Sequence, residues 1–164
     1  LPIVIYVNSH ATENRHFPPG QYSRLAYDFP EKVVGVKVST GTMTDFQEYS
    51  IVHGLEYGQK SSFLLGNEEM LAEDPEFFAK MRIVGLVSGT SNMKPELIVR
   101  WWADFERGNN KEFSTDGEKM REVHTSYKEA KGSVPVIKSY LHEHGLIKSP
   151  ELAPGNPLRV AWPK

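Results

Sequence analysis

Apolar residues gather in four short runs, at residues 2–7, 33–38, 62–65 and 83–87. Between them lie stretches of helical length with apolar residues on one face, near residues 20–27, 44–57 and 68–81, each closed by proline, glycine or a polar turn. Strands alternating with helices predict parallel βα units. The runs are continuously apolar rather than alternating, the pattern of strands covered on both faces.

After Val87 the pattern changes, and the rest of the chain predicts helices. "KPELIVRWWADFERGN" sets Leu97, Trp101, Trp102 and Phe105 on one broad stripe and stops at Gly108. Residues 112–130 are charged and weakly amphipathic, which reads as a solvated face. "SVPVIKSYLHEHG" predicts a last helix with Pro135 in its first turn and Gly145 as its stop, followed by a proline-rich, extended tail. Two segments result: residues 1–108 with four βα units, and residues 109–164 with a helical hairpin and tail. A complete parallel barrel needs eight strands and about 250 residues. An open four-stranded parallel sheet exposes two edges, so half of a barrel is the better fit.

One residue breaks the apolar runs. In "VVGVKVSTG", residues 33–41, Lys37 points to the face opposite Val36 and Val38. An amine within a buried strand must be paired, solvated at the strand end or deprotonated. A neutral lysine can attack a carbonyl and form an imine, and Lys37 sits near the carboxyl end of its strand, where barrel active sites collect. A lysine that snorkels at a strand end or pairs with a carboxylate fits the spacing equally.

Charge and composition exclude more than they add. With 19 basic and 21 acidic residues, the chain has no electrostatic footprint for nucleic acid or an anionic membrane. Absence of cysteine removes disulfides, thiolate zinc sites and cysteine nucleophiles, and the default compartment is the cytoplasm. No run approaches the roughly 18 apolar residues of a membrane span. His142 and His144 are two apart and diverge on a helix, so no metal site is expected. Neither a phosphate-binding glycine loop nor a serine nucleophile elbow is present. The chain opens without Met directly in "LPIVIYV", which reads as a cut.

Five stretches in order, "IVIYVNSHAT", "VVGVKVSTG", "LLGNEEML", "GLVSGTSNMKPEL" and "VPVIKSYLHEHGLIKSPELAPGNPL", resemble the dihydrodipicolinate synthase and N-acetylneuraminate lyase family. The likeness runs over essentially the whole chain. It implies a (β/α)8 TIM barrel, here its last four βα units and terminal helices. It also implies a class I lyase in which Lys37 forms an imine with pyruvate or another 2-oxo acid, with no cofactor beyond that covalent imine. Tyr6 matches the family's proton-relay tyrosine, a role suited to a group that both donates and accepts.

Departures from the family pattern bear on substrate. Ala11 stands where the synthases carry an arginine for the second carboxylate of their aldehyde, although Arg15 or His16 could replace it. "GNEE" resembles the Gly-x-Asp-Glu of the sialic acid lyases, which makes Gly66, Glu68 and Glu69 candidates for binding a polyol chain. First-turn acids also favour a helix dipole in their own right. Ser39, Thr40 and Gly41 follow the lysine where relatives contact the substrate carboxylate or adjacent hydroxyls, and Ser88 opens a polar loop after the last strand. The carboxylate-holding loop that relatives carry on their first four strands has no counterpart here. Poor catalysis is therefore expected of this chain alone.

Three functions fit the sequence. The first is an aldolase or lyase of the 2-keto-3-deoxy sugar acid type. A second is a synthase condensing pyruvate with an anionic aldehyde. The third is an incomplete half-barrel that assembles with itself or a partner; the family likeness implies a homo-oligomer.

Overall fold

The computed structural model describes residues 1–8, 17–40, 42–56, 61–130 and 132–151. Two compact units divide the chain at Leu1–Val87 and Ser88–Lys164. The division falls where the last strand ends, not at the change near residue 108, because the helix before Gly108 packs on the helix after it.

In the first unit, strands β1 (Ile3–Asn8), β2 (Val33–Ser39), β3 (Ser62–Leu65) and β4 (Ile83–Leu86) form one sheet in sequence order. Every pairing is parallel. Helices α1 (Pro19–Asp28), α2 (Met43–Glu56), α3 (Glu68–Glu73) and α4 (Pro75–Lys80) make the connections, as the alternating pattern predicts. The single helix expected over residues 68–81 is instead two. Pro75 has no N–H to continue the first, and the Asp74 side chain accepts from the Phe77 N–H at 2.9 Å, starting the second.

One face of the sheet is buried. Val36 and Val38 on β2 and Phe63 and Leu65 on β3 are buried with Phe46, Tyr49 and Phe78. The Phe46 ring meets those of Phe63 and Phe78 edge-on at 6.4 and 5.4 Å, and each large side chain so buried stabilises the fold by about 1.5–3 kcal/mol. On the helix-covered side, the Tyr22 hydroxyl lies 3.1 Å from His53 Nδ1 and 3.2 Å from Ser61 Oγ, which is itself 3.2 Å from His53 Nδ1. That three-way contact fastens α1 and α2 to the start of β3. The other face differs from the expectation of strands covered on both sides: Val4 and Tyr6 on β1 are about half exposed, at 45% and 52%.

The second unit is helical. A 3-10 turn (Thr90–Asn92) precedes α5 (Pro95–Arg107), α6 (Asn110–Glu129) and α7 (Ser133–Glu143). Gly108 and Gly145 take φ of 68° and 70° after α5 and α7, left-handed conformations that glycine adopts without a Cβ penalty. The Trp101 ring stacks on Phe113 at 4.9 Å while its Nε1–H donates to the Phe113 carbonyl at 3.1 Å. Helix α6 is more than a solvated face. Phe113, Asp116, Gly117, Met120 and His124 are buried at helical spacing, and Asp116 accepts from Arg100 Nε at 2.5 Å and Lys119 Nζ at 2.7 Å. Among the described residues no helix is long and apolar enough to cross a membrane.

Candidate active site

Parallel register puts Tyr6 directly beside Lys37 and Asn8 beside Ser39. Residues two apart on a strand share a face, so Tyr6, Asn8, Lys37 and Ser39 stand together on the face opposite the buried valines. Lys37 is half-buried, and its Nζ lies 4.0 Å from the centre of the Tyr6 ring. An ammonium over an aromatic face is attracted by the ring quadrupole, which holds the amine beside the phenol. The Tyr6 oxygen accepts a 2.8 Å hydrogen bond from Asn8 Nδ2.

Gly66 makes room for the lysine. Its N–H donates to the Val38 carbonyl at 2.8 Å, extending the β2–β3 pairing. A Cβ at this position would fall 2.6 Å from Lys37 Cε and onto Ser39 Oγ. Ser39 Oγ is itself buried, with no hydrogen-bond partner among the described residues. A hydroxyl in that state is costly and supplies a polar contact next to the amine.

Thr40 is fully buried and its hydroxyl donates to the Thr42 carbonyl at 3.4 Å, a turn contact rather than one aimed at Lys37. Its carbonyl accepts from Asn67 Nδ2 at 3.4 Å, linking the loops after β2 and β3. Glu68 and Glu69 occupy the first turn of α3, the former buried and the latter half-buried. Ser88 opens the second unit, where its Oγ accepts from the Ser91 N–H at 3.2 Å. Ala11, Arg15, His16 and Gly41 lie outside the described residues. Among the described residues no cluster of three or more His, Asp or Glu is arranged for a metal ion. Asn8 is the one residue of this group that sequence reasoning missed; its signal was the two-residue spacing from Tyr6 on a strand.

The arrangement is a primary amine at the carboxyl end of a parallel strand, with a phenol beside it and space opened by a glycine. The model of the dihydrodipicolinate synthetase family matches residues 1–160. The chain belongs to that family. Dihydrodipicolinate synthetase family enzymes hold their substrate as a Schiff base on a lysine and need no external cofactor.

Among solved structures, the chain is similar to dihydrodipicolinate synthase from Bacteroides thetaiotaomicron, with 24% identity, TM-score 0.77, and coverage of 98% of this chain and 54% of that one. A prophage protein of the dihydrodipicolinic acid synthase family from E. coli, solved in complex with pyruvate, gives 17%, 0.76, 98% and 53% in the same order. For Proteus mirabilis N-acetylneuraminate lyase the values are 17%, 0.65, 85% and 44%. The chain thus spans about half the length of the structures that it matches, as a partial barrel does. No curated protein matches it significantly.

Proposed function

We propose that this chain carries the imine-forming part of a class I aldolase or lyase acting on 2-oxo acids of the 2-keto-3-deoxy sugar acid type, with pyruvate as one product. The observation that carries this reading is the Lys37 amine 4.0 Å over the Tyr6 ring on adjacent parallel strands, within a member of a Schiff-base family.

The Lys37 amine attacks the C2 carbonyl, and the carbinolamine loses water to give an iminium. The C3–C4 bond then breaks as the C4 hydroxyl gives up its proton, and the bonding pair flows into the iminium as an enamine. An aldehyde leaves, C3 takes up a proton, and water releases pyruvate from Lys37. Tyr6 carries the protons between hydroxyl and carbon in this reading. Ser39 contacts the substrate beside the imine, Gly66 leaves room for the lysine stem, and Glu68 and Glu69 accept from sugar hydroxyls, which suit a double acceptor. Thr40 shapes the loop after β2. Pyruvate in the complex of the E. coli relative is consistent with the small 2-oxo acid. The compartment in this reading is the cytoplasm.

Incubation with a panel of 2-keto-3-deoxy sugar acids tests it. Slow release of pyruvate, absent from Lys37→Ala, is the expected result. Turnover of pyruvate with aspartate semialdehyde and of no sugar acid would move the chain to the synthase branch. The exposed apolar residues of the edge strands, Ile3 and Val4 on β1 and Val84 on β4, favour a self-associating protein. A solution mass equal to one chain would count against that.

A further inference from the structure

The Tyr6 phenol has a fixed neighbour whose position suggests a task. Asn8 lies two residues on along β1, on the same face, nearer the carboxyl end of the sheet and beside Ser39. Its carboxamide Nδ2 donates to the Tyr6 oxygen at 2.8 Å, a normal length for this bond. Conjugation keeps a phenol proton close to the ring plane, so it has two orientations, one on either side of the C–O bond. A donor on one side of the oxygen leaves the other side for the proton.

We propose that Asn8 is a positioning residue: it sets the direction of the Tyr6 phenol proton and thereby the rate at which Lys37 forms its imine. The inference rests on the reading of Lys37 and Tyr6 given above. A carboxamide suits the task because it carries no charge and does not titrate. Its donor stays in place over the whole pH range in which an amine and a phenol exchange protons. The step it serves is loss of water from the carbinolamine. The carbon–oxygen bond breaks as the phenol passes its proton to the departing hydroxyl. Water leaves, the nitrogen lone pair completes the C=N bond of the iminium, and the phenolate regains a proton from solvent. A phenol proton turned toward Asn8 would be withheld from that step.

The test measures the rate at which borohydride traps a pyruvate adduct on Lys37, read by intact mass, in four chains: wild type, Asn8→Ala, Tyr6→Phe and the double variant. Loss of one neutral hydrogen bond predicts about fivefold slower trapping in Asn8→Ala. In the Tyr6→Phe background the same change should have no further effect, because residues that act through one another are not additive. Asn8→Asp keeps the shape but presents only acceptors, draws the phenol proton to itself, and should be slower than Asn8→Ala. Equal trapping in wild type and Asn8→Ala, or equal slowing in both Tyr6 backgrounds, overturns the role of Asn8 alone. No adduct in the folded wild-type chain overturns the imine reading, and the relay role with it. Asn8 carboxamide resonances that do not move on Tyr6→Phe would show the hydrogen bond to be absent, which also overturns the proposal.

Discussion

Lys37 is placed by what surrounds its stem. Gly66 leaves only the space that Lys37 Cε and Ser39 Oγ occupy, so Gly66→Ala must push the lysine or the β2–β3 loops aside. We expect that variant to fold with a lowered melting temperature and to trap pyruvate at least about tenfold more slowly, since misplacement of a reacting group by about 1 Å costs on the order of 10²-fold. A rate within twofold of wild type would mean that the close approach is not needed. His53 makes a second prediction. Burial lowers its pKa, outweighing the opposing effect of its hydrogen bond to Ser61. The unfolded chain therefore takes up the proton first, and stability present above about pH 6.5 is lost as pH falls below it. Thermal melting should show that loss in the wild type and a flatter profile in His53→Gln; parallel profiles would contradict it. Lys37 was legible in the sequence because a charge inside an apolar run demands a reason. Asn8 drew no notice: its two-residue spacing from Tyr6 puts both on one face of a strand, but an amide at a strand end is unremarkable until its hydrogen bond to the phenol is seen.

At the scale of elements, the alternation of apolar runs and amphipathic stretches located all four strands, and the stops at Gly108 and Gly145 fall where the chain turns left-handed. Two features did not follow from periodicity. The break between α3 and α4 depends on one cap and one proline, and an apolar stripe running through both helices conceals it. Asp74→Ala should cost about 1 kcal/mol, the usual worth of an N-cap, measured as a shift in the urea midpoint with unchanged slope; no shift would show that Pro75 alone starts α4. The buried stripe of α6 was hidden by its composition. Asp116 and His124 read as solvent-facing residues, yet both are buried, and Asp116 is held below the usual carboxylate range chiefly by the Arg100 hydrogen bond. Ion pairing thus allows a helix rich in charge to present a packing face.

For the molecule as a whole, the sequence motifs were more informative than composition, because five of them occur in family order along a chain that spans half the length of its structural neighbours. The half-barrel character was legible from the count of four strands; the half-exposed state of the face that carries Tyr6 was not, since continuous apolar runs read as strands covered on both faces. On that face a phenol, an amide, an amine and a hydroxyl stand in register, and the chemistry proposed for the amine is imine formation. Intact mass and peptide mapping after treatment with pyruvate and borohydride test it most directly. A single reduced pyruvate adduct on Lys37 that disappears in Lys37→Ala is the expected result. A folded chain that acquires no adduct, or acquires it equally on other lysines, would contradict it.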